Sequence, residues 1–291
     1  MELVCLDMKT VVVTGATSGI GLAVCEALAA NGFRIIGIGH SGENCREALE
    51  KLSAANPGLE HVFFHGDLMQ QTEVRRVAGE VRAQLDQNGG ELHALINNAG
   101  CVRSWYMTTQ EGYEQQFALN HLAGFLFTHE LMPYLTRAGG RVLFTSSGSH
   151  KNIRLLWDDL MHQKRYNPLS AYKRSKLCNV LTACAVNERF SVAGVSAYAV
   201  DPGLVATDIG NKDTGKLVGF IWKWRKRGGV APEIPAQTYL RLCSAAENPG
   251  GLYHGLKGAK RYSGEVTPEN ASRLYEISER LCRIKQEECS L

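Results

Sequence analysis

Tyr172 and Lys176 are the residues of this 291-residue chain whose types and spacing most directly indicate catalysis. A lysine four positions after a tyrosine shares one face of a helix with it. A nearby ammonium stabilises a phenolate and so lowers the pKa of the phenol from its usual value of about 10. The pair therefore predicts a general acid/base that works near neutral pH. The same spacing recurs at Tyr253 and Lys257, in a glycine-rich stretch, so the pattern needs support from the rest of the chain.

Three serines upstream of this pair are candidates for a second catalytic hydroxyl. Ser146, Ser147 and Ser149 come directly after the apolar run 142–145, which predicts a buried strand. A hydroxyl beside the phenol would hydrogen-bond the substrate oxygen and hold it in place during proton transfer. Position alone does not choose among the three.

A glycine-rich turn near the N-terminus predicts a dinucleotide site. The β-branched run 9–13 predicts a buried strand, and a helical pattern begins at about residue 22. Between them, Gly15 would permit a tight turn, Gly19 would let a pyrophosphate approach the helix N-terminus, and Gly21 would allow close packing of helix on strand. The alternative is an ordinary connection that happens to be rich in glycine.

These motifs, in this order, resemble those of the short-chain dehydrogenase/reductase family. The family patterns are Thr-Gly-x-x-x-Gly-x-Gly, Asn-Asn-Ala-Gly, a catalytic serine and Tyr-x-x-x-Lys. This chain carries them at 14–21, at 97–100, at Ser147 and at Tyr172 with Lys176. It also has Asp-Leu at 67–68, Asn120 and Asp-Pro-Gly at 201–203. Residues 175–181 and the long segment before Tyr172 resemble the branch of retinol dehydrogenases and protochlorophyllide reductases.

The resemblance implies a catalytic set of Asn120, Ser147, Tyr172 and Lys176. It implies that Lys176 also holds the nicotinamide ribose and that Asn120 orders a water that relays protons to Lys176. Asn120 has a second interpretation, in which it satisfies backbone groups where a helix bends. Asp67 would either bond the adenine edge or cap the helix that follows, and both roles are compatible.

The glycine turn and the resemblance together place a dinucleotide against one set of residues. The predicted cofactor-binding residues are Gly15, Thr17, Ser18, Gly19, Ile20, Gly21, His40, Ser41, Asp67, Leu68, Asn98, Ala99, Gly100, Tyr172, Lys176, Pro202, Gly203, Val205 and Thr207.

The end of the second predicted strand bears on the choice between NAD and NADP. An acidic residue there would bind the ribose hydroxyls and repel a 2′-phosphate. Gly39 occupies that position, and His40 stands where NADP-dependent relatives often carry arginine. The first carboxylate is Glu43, and Arg46 follows a turn into the next helix. The missing acid favours NADP over NAD, although no strong cation replaces it.

Composition and element order predict the fold class. With 44% hydrophobic residues, the chain can bury one large core. Alternating strands and helices predict a single-domain α/β fold over 1–291, a Rossmann-type doubly wound parallel sheet of about seven strands with helices on both faces. A helical extension is predicted at about 268–287. The predicted strands are 11–13, 34–38, 61–65, 94–96, 142–145 and 194–200, and the predicted helices include 43–52, 72–85, 113–135 and 169–189.

Charge and cysteine usage limit the partners and the location. A net charge of +3 is too small to predict a nucleic-acid partner. Nine cysteines without a Cys-x-x-Cys pair predict reduced thiols and a cytoplasmic location. The histidines show no metal-ligand spacing, so no metal site is expected. The chain shows neither a long apolar stretch nor a secretory signal.

The segment 204–230 is predicted to be the substrate loop or lid. Within it, 217–227 is apolar and aromatic and then basic. It would serve as a lid over a bulky apolar substrate such as a steroid or retinoid, as an interfacial helix on anionic lipid, or as a solvated helix end. The resemblance also leaves open a homodimer or homotetramer through the helices that carry Asn120 and Tyr172.

The sequence thus predicts an NADP(H)-dependent oxidoreductase that interconverts an alcohol and a carbonyl on a bulky apolar small molecule. One alternative is a non-catalytic nucleotide-binding regulator, although such proteins usually lose the Tyr, the Lys or the Ser. Another is a reductase of a ring double bond, which the likeness to protochlorophyllide reductases leaves open.

Overall fold

The computed structural model describes residues 9–205 and 229–284. Its strands form one sheet in the order β3-β2-β1-β4-β5-β6-β7-β8, in which every neighbouring pair is parallel except β7 and β8. The strands are β1 Thr10–Thr14, β2 Arg34–Gly39, β3 Val62–His65, β4 Ala94–Asn97, β5 Arg141–Thr145, β6 Ser196–Val200, β7 Tyr253–Gly255 and β8 Gly258–Ala259. The predicted Rossmann-type α/β fold is confirmed.

The sheet has eight strands where about seven were expected. The difference lies in the glycine-rich stretch 249–259, for which no strand was predicted. It contains β7 and the two-residue β8, which form a hairpin that extends the sheet beyond β6. Such short, glycine-containing strands have no hydrophobic alternation, so only the pairing of β7 with β6 and of β8 with β7 identifies them.

Eight α-helices are described, and one of the predicted helices is interrupted. The helices are α1 Gly19–Ala30, α2 Gly42–Ala55, α3 Gln71–Asp86, α4 Gln115–Phe117, α5 Ala123–Ala138, α6 Pro168–Phe190, α7 Glu233–Ser244 and α8 Pro268–Leu281. A π-helical turn, Ala118–Leu122, separates α4 from α5 within the predicted helix 113–135. Such turns are frequent at functional sites, and this one carries Asn120.

Helices cover both faces of the sheet. Val11 and Val13 of β1 pack into one core with α1 and α7, whereas Val12 packs into a second core with α3, α5, α6 and α8. A strand buried on both faces needs no polar alternation, which explains the continuous β-branched run at the start of the chain.

The predicted C-terminal extension is helix α8, and residues 285–287 lie outside the described part. The Thr267 hydroxyl caps α8 by accepting from the amide of Asn270, at 3.2 Å. The Tyr275 ring meets Phe125 at 4.9 Å, and Ser278 Oγ lies 2.9 Å from Nε2 of His121. Helix α8 therefore packs against α5 and against the π-helical turn.

In a parallel sheet the loops after the strands gather at one edge, where α/β proteins bind their ligands. Here that edge collects the loops that follow β1, β4, β5 and β6. None of the helices within 9–205 and 229–284 is long and apolar enough to cross a bilayer.

Candidate active site

The glycine turn joins β1 to α1 at the carboxyl edge of the sheet. Gly15 and Gly19 have φ angles of +66° and +54°, in the left-handed region that favours glycine. A Cβ on Gly21 would stand 2.0 Å from the carbonyl oxygen of Gly15. Ser18 precedes α1 but its side chain makes no capping hydrogen bond. The first amides of α1 thus remain available for an anion such as a pyrophosphate, so the turn fits a dinucleotide.

Asn98 ties three strand ends together. Its Nδ2 donates to the carbonyl oxygens of Thr14 and Gly15, at 3.2 and 3.4 Å, and its Oδ1 accepts from the Thr145 hydroxyl at 3.3 Å. Thr14 Oγ1 in turn accepts from the amides of Asn98 and Ala99 at 3.0 and 3.1 Å. The predicted cofactor residues 98–100 therefore lie directly against the glycine turn.

Tyr172 and Lys176 lie one turn apart on α6. The helix begins cleanly because Asn167 Oδ1 accepts from the Ser170 amide at 2.9 Å and Pro168 occupies the first helical position. Lys176 Nζ is buried, donates to the Thr145 carbonyl oxygen at 3.0 Å and lies 5.6 Å from the centre of the Tyr172 ring. Burial lowers the pKa of Lys176 to about 8. Lys176 Nζ thus lies beside the phenol, and no carboxylate of the described residues binds it.

The three candidate serines have different surroundings. Ser146 is buried and donates to the Lys176 carbonyl oxygen at 2.8 Å, which commits it to the backbone. Ser147 is partly exposed, and its Oγ accepts from the amide and the hydroxyl of Ser149, at 3.3 and 3.1 Å. Both contacts use Ser147 as an acceptor and leave its proton for another oxygen. Of the three, Ser147 is the one whose hydroxyl proton has no acceptor among the described residues.

Asn120 makes the backbone contacts that its second interpretation anticipated. Its Oδ1 accepts from the Cys101 amide at 2.7 Å, and its Nδ2 donates to the Cys101 carbonyl at 3.0 Å and to Ser175 Oγ at 3.0 Å. A Cβ on Gly100 would lie 3.0 Å from Asn120 Oδ1 and 3.5 Å from Lys176 Nζ. Asn120 therefore holds the loop after β4 close to Lys176.

The end of β2 excludes the side chain that an NAD-type acid would need. A Cβ on Gly39 would stand 2.5 Å from Cys45 Sγ and 2.5 Å from Thr17 Cγ2. His40 beyond it is exposed, and Ser41 Oγ accepts from the Asn44 amide at 3.4 Å as the cap of α2. Position 39 therefore carries no carboxylate in the sequence and has no space for one in the structure.

Asp67 does not cap α3. Its Oδ1 accepts from the amide of Met69 at 3.1 Å, which forms a turn before the helix. Instead, the carboxylate of Glu111 accepts from the amides of Gln71 and Thr72, at 2.9 and 3.3 Å. The helix-cap interpretation of Asp67 is wrong because a carboxylate from a distant loop takes that place. Leu68 beside it is buried in the core.

The loop after β6 is described only in part. Pro202 is buried, and the Gly203 amide donates to Asp201 Oδ1 at 3.0 Å. Val205 forms an isolated parallel bridge with Val230. Thr207, most of the predicted lid 204–230 and all of the basic segment 217–227 lie outside the described residues.

Two residues beside the site were not predicted. His65, the last residue of β3, pairs with Gly39, and a Cβ on Gly42 would lie 3.7 Å from its Nδ1. Lys260 places Nζ 2.5 Å from Asp201 Oδ2, although 59 positions separate the two residues. The sequence carries no signal for either contact, because both depend on which strands are neighbours. Among 9–205 and 229–284, no group of three or more His, Cys, Asp or Glu side chains could hold a metal ion.

Most of the chain is similar to known dehydrogenases. The family described as short chain dehydrogenase matches residues 9–217. Retinol dehydrogenase 13 of Homo sapiens is 33% identical over 288 residues, which cover 95% of this chain and 85% of that protein. Polyprenol dehydrogenase of Homo sapiens is 32% identical over 258 residues, which cover 84% and 76%.

The fold also has counterparts among solved structures. A short-chain dehydrogenase from Sphingobium yanoikuyae in complex with NADPH superposes with a TM-score of 0.66 at 19% identity, covering 98% of this chain and 98% of that one. At this identity the likeness concerns the fold.

Proposed function

Within the short-chain dehydrogenase family, to whose retinol dehydrogenase-like branch this chain belongs, we propose that the protein is an NADP(H)-dependent enzyme that interconverts an alcohol and a carbonyl on a bulky apolar substrate. The coarser activity follows from the family: the chain is an oxidoreductase that acts on CH–OH groups with NAD(P). The cofactor preference, the catalytic roles and the substrate class belong to the proposal.

One observation carries the chemistry: a buried ammonium lies beside a phenol on the same helix face. Lys176 Nζ is held by the Thr145 carbonyl, 5.6 Å from the centre of the Tyr172 ring. This cation stabilises negative charge on the phenol oxygen, so Tyr172 can give its proton to a carbonyl oxygen and take it back from an alcohol.

Ser147 completes the proton-handling group. Its hydroxyl would hydrogen-bond the same substrate oxygen and keep it within reach of Tyr172. A bound nicotinamide supplies the hydride, which is the cofactor's own chemistry. Asn120 acts by holding the loop after β4 against Lys176, through its bonds to Cys101.

The preference for NADP rests on the end of β2. Cys45 and Thr17 fill the space that a carboxylate at position 39 would need, so no side chain at that position repels a 2′-phosphate. The exposed imidazoles of His40 and His65 flank the N-terminus of α2 and can donate to phosphate oxygens. A solved neighbour of the same fold was captured with NADPH.

The proposal of an apolar substrate rests on the loops around the site. Large apolar side chains are exposed after β4, after β5 and after β6, on the edge where Tyr172 and Ser147 lie, and one more follows β8. They are Trp105, Tyr106, Met107, Leu156, Leu204 and Tyr262. Retinol and polyprenol dehydrogenases, after which two relatives are named, act on isoprenoid alcohols. Retinoids and other isoprenoid alcohols or aldehydes are therefore the first candidates, with steroids next.

The test is to follow nicotinamide absorbance with NADPH and separately with NADH against retinal, a polyprenal, ketosteroids, aryl ketones and quinones. We expect at least one bulky carbonyl to be reduced. NADPH should be preferred by about tenfold, as one charge-assisted hydrogen bond of about 1.5 kcal/mol would give. His65→Gln should reduce this preference and leave the activity with NADH unchanged.

The same experiment distinguishes the two alternatives. Binding of NADPH without turnover of any carbonyl would favour the nucleotide-binding regulator. A conjugated enone whose ring is saturated while its carbonyl remains would indicate a double-bond reductase. Cytoplasmic location, contact of 217–227 with a membrane and the oligomeric state stay predictions.

A further inference from the structure

Asp201 joins two loops that border the site. It is the first residue after β6, is only 6% exposed, and its Oδ1 accepts from two amides. One is the amide of Gly148, next to Ser147, at 3.2 Å, and the other is that of Gly203, at 3.0 Å. One carboxylate oxygen thus connects the catalytic serine to the loop predicted to border the cofactor.

A carboxylate this deeply buried requires a compensating charge. Lys260 supplies it, with Nζ 2.5 Å from Asp201 Oδ2. Burial raises the pKa of Asp201, but the Lys260 ammonium and the Gly203 amide outweigh it, so the pKa lies below its ordinary value.

The β7–β8 hairpin directs Lys260 to this position. The Lys260 amide donates to the Tyr253 carbonyl at 2.7 Å, which sets where the side chain leaves the backbone. The side chain then crosses Gly255, where a Cβ would stand 2.7 Å from Lys260 Cδ. The absence of a side chain at position 255 leaves the room that Lys260 uses.

The loop after Lys260 meets the serine turn a second time. The Ser263 amide donates to His150 Nε2 at 3.3 Å, so the proton of this imidazole is on Nδ1, which donates to the Ser147 carbonyl at 2.7 Å. Burial lowers the pKa of His150, in agreement with a neutral ring. The segment 260–263 therefore supports Ser147 from two sides.

We propose that Lys260 is a positioning residue for this enzyme: through its ion pair with Asp201 it holds the Ser147 turn and the Gly203 loop in their working positions. This inference rests on the proposed function for its effect on turnover. Its effect on cofactor affinity and on folding does not depend on that function.

The decisive variant is Lys260→Met, which removes the ammonium and keeps most of the side-chain length. We expect kcat/KM to fall about tenfold to a hundredfold, because a small displacement of a catalytic group is costly. The loss should appear mainly in kcat for the carbonyl, and NADPH affinity, measured by fluorescence titration, should fall as well. Lys260→Arg keeps the charge and should restore most of both.

Two further variants separate this role from a general loss of stability. Lys257→Met removes an equal charge from an exposed position in the same hairpin, where Lys257 makes no hydrogen bond or ion pair with the described residues. It should behave as wild type. Gly255→Ala displaces the Lys260 side chain without changing any charge, and should lower kcat/KM in the same direction but less. It serves as the test should Lys260→Met fail to fold.

The pH dependence of kcat/KM should change only if Lys260 acts through Asp201, and not if Lys260 merely stabilises the fold. The titratable groups that interact with Asp201 are Lys260 and Tyr253 of the hairpin, His150 of the turn after β5 and Tyr239 of α7. Lys151 lies next to His150, and Tyr172 of α6 lies near Tyr239 and Tyr253. Among the cations of the described residues, Lys260 is the one that bonds Asp201. In Lys260→Met the pKa of Asp201 should rise, so the acid limb of kcat/KM should move to higher pH. Lys257→Met should leave that limb in place.

Folding gives an independent check. A depressed carboxyl pKa contributes stability that is present above the unfolded value, about 3.9 for Asp, and is lost as the pH falls through the folded value. The difference in unfolding free energy between wild type and Lys260→Met should therefore shrink in acid.

A Lys260→Met protein with wild-type kcat/KM, NADPH affinity and acid limb would overturn the proposal. If wild type reduces no carbonyl, the proposed function fails instead, and NADPH affinity with the pH dependence of unfolding still decides the role of Lys260.

Discussion

The chain contains two Tyr-x-x-x-Lys patterns, and the structure gives them opposite surroundings. Tyr172 and Lys176 lie on α6, where four positions make about one turn and both side chains share a face. Tyr253 and Lys257 lie in the β7–β8 hairpin, where Tyr253 is buried and Lys257 is exposed. The spacing is identical, but only a helix converts it into a contact.

The charges beside the two phenols also differ. Lys176 Nζ lies 5.6 Å from the centre of the Tyr172 ring. Burial and the neighbouring Asp201 carboxylate raise the pKa of Tyr253, which keeps that phenol protonated. Lysines lie just as close to this ring, since Nζ of Lys151 and of Lys260 are each 5.7 Å from its centre, but here the Asp201 carboxylate opposes their charge and binds Lys260. The sum of the charges around a phenol, and not the distance to one lysine, therefore decides how readily it gives up its proton.

Replacing each tyrosine by phenylalanine should give the largest difference between the two Tyr-x-x-x-Lys patterns. Tyr172→Phe should lower kcat by about 10²–10⁴-fold, the usual contribution of a positioned general acid. Cofactor affinity should survive, because the glycine turn and the α1 amides are untouched. The measurements are nicotinamide absorbance for turnover and fluorescence titration for binding.

Tyr253→Phe is the matched control for that experiment. It should lower kcat far less than Tyr172→Phe does, because the Tyr253 hydroxyl faces the Asp201 carboxylate and not the substrate oxygen. The free energy of unfolding should change by no more than about 1 kcal/mol, as expected for one buried hydroxyl. Equal losses in both variants would mean that Tyr172 is not the general acid/base.

Replacing the lysine of each pattern tests whether its ammonium contributes to turnover. Lys176→Met should lower kcat/KM by about 10²-fold, the usual size of one lost electrostatic contact to developing charge. Lys257→Met should have no effect because its ammonium is exposed on the hairpin. Steady-state kinetics of the two purified variants measure the difference, and a wild-type rate for Lys176→Met would contradict the role assigned to its ammonium.

The smallest expected effect concerns pH. Burial lowers the pKa of Lys176 to about 8, so its charge is lost just above neutrality. The kcat/KM for carbonyl reduction should be level at neutral pH and then fall by up to about tenfold per pH unit above 8. This fall in kcat/KM above pH 8 should be absent from the residual activity of Lys176→Met.

The lowered pKa of Lys176 also predicts how the free energy of unfolding changes with pH. Between about pH 8 and the unfolded lysine value of about 10.4, the unfolded chain binds the proton more tightly than the folded one. Unfolding free energy should therefore rise with pH through that window in wild type, by comparison with Lys176→Met. Denaturant titrations at several pH values check it.

Patterns among residues close in sequence were sufficient to predict β1, the glycine turn and the helix of the catalytic pair. The run 11–13 predicted β1, and the glycines at 15, 19 and 21 predicted the turn because each position excludes a side chain or needs a positive φ. The helix that carries Tyr172 and Lys176 was predicted at 169–189 and spans Pro168–Phe190. These features depend on neighbours in sequence, which a sequence pattern records.

Contacts between distant segments were not predictable in the same way. The π-helical turn at Asn120 depends on Cys101 and Ser175, and α3 is capped by Glu111 from a remote loop. In the glycine-rich hairpin, β7 is defined by its pairing with β6, and β8 by its pairing with β7.

The sequence by itself therefore determined the fold class, the family and the helical Tyr172–Lys176 pair, because periodicity and spacing within one element decide which side chains share a face. Only the tertiary structure decided which serine keeps an uncommitted hydroxyl proton, why position 39 has no room for a carboxylate, and which lysine meets Asp201. The physical reason is that burial, space and charge at these positions are set by strands and loops that lie far away in the sequence and become neighbours only when the sheet forms.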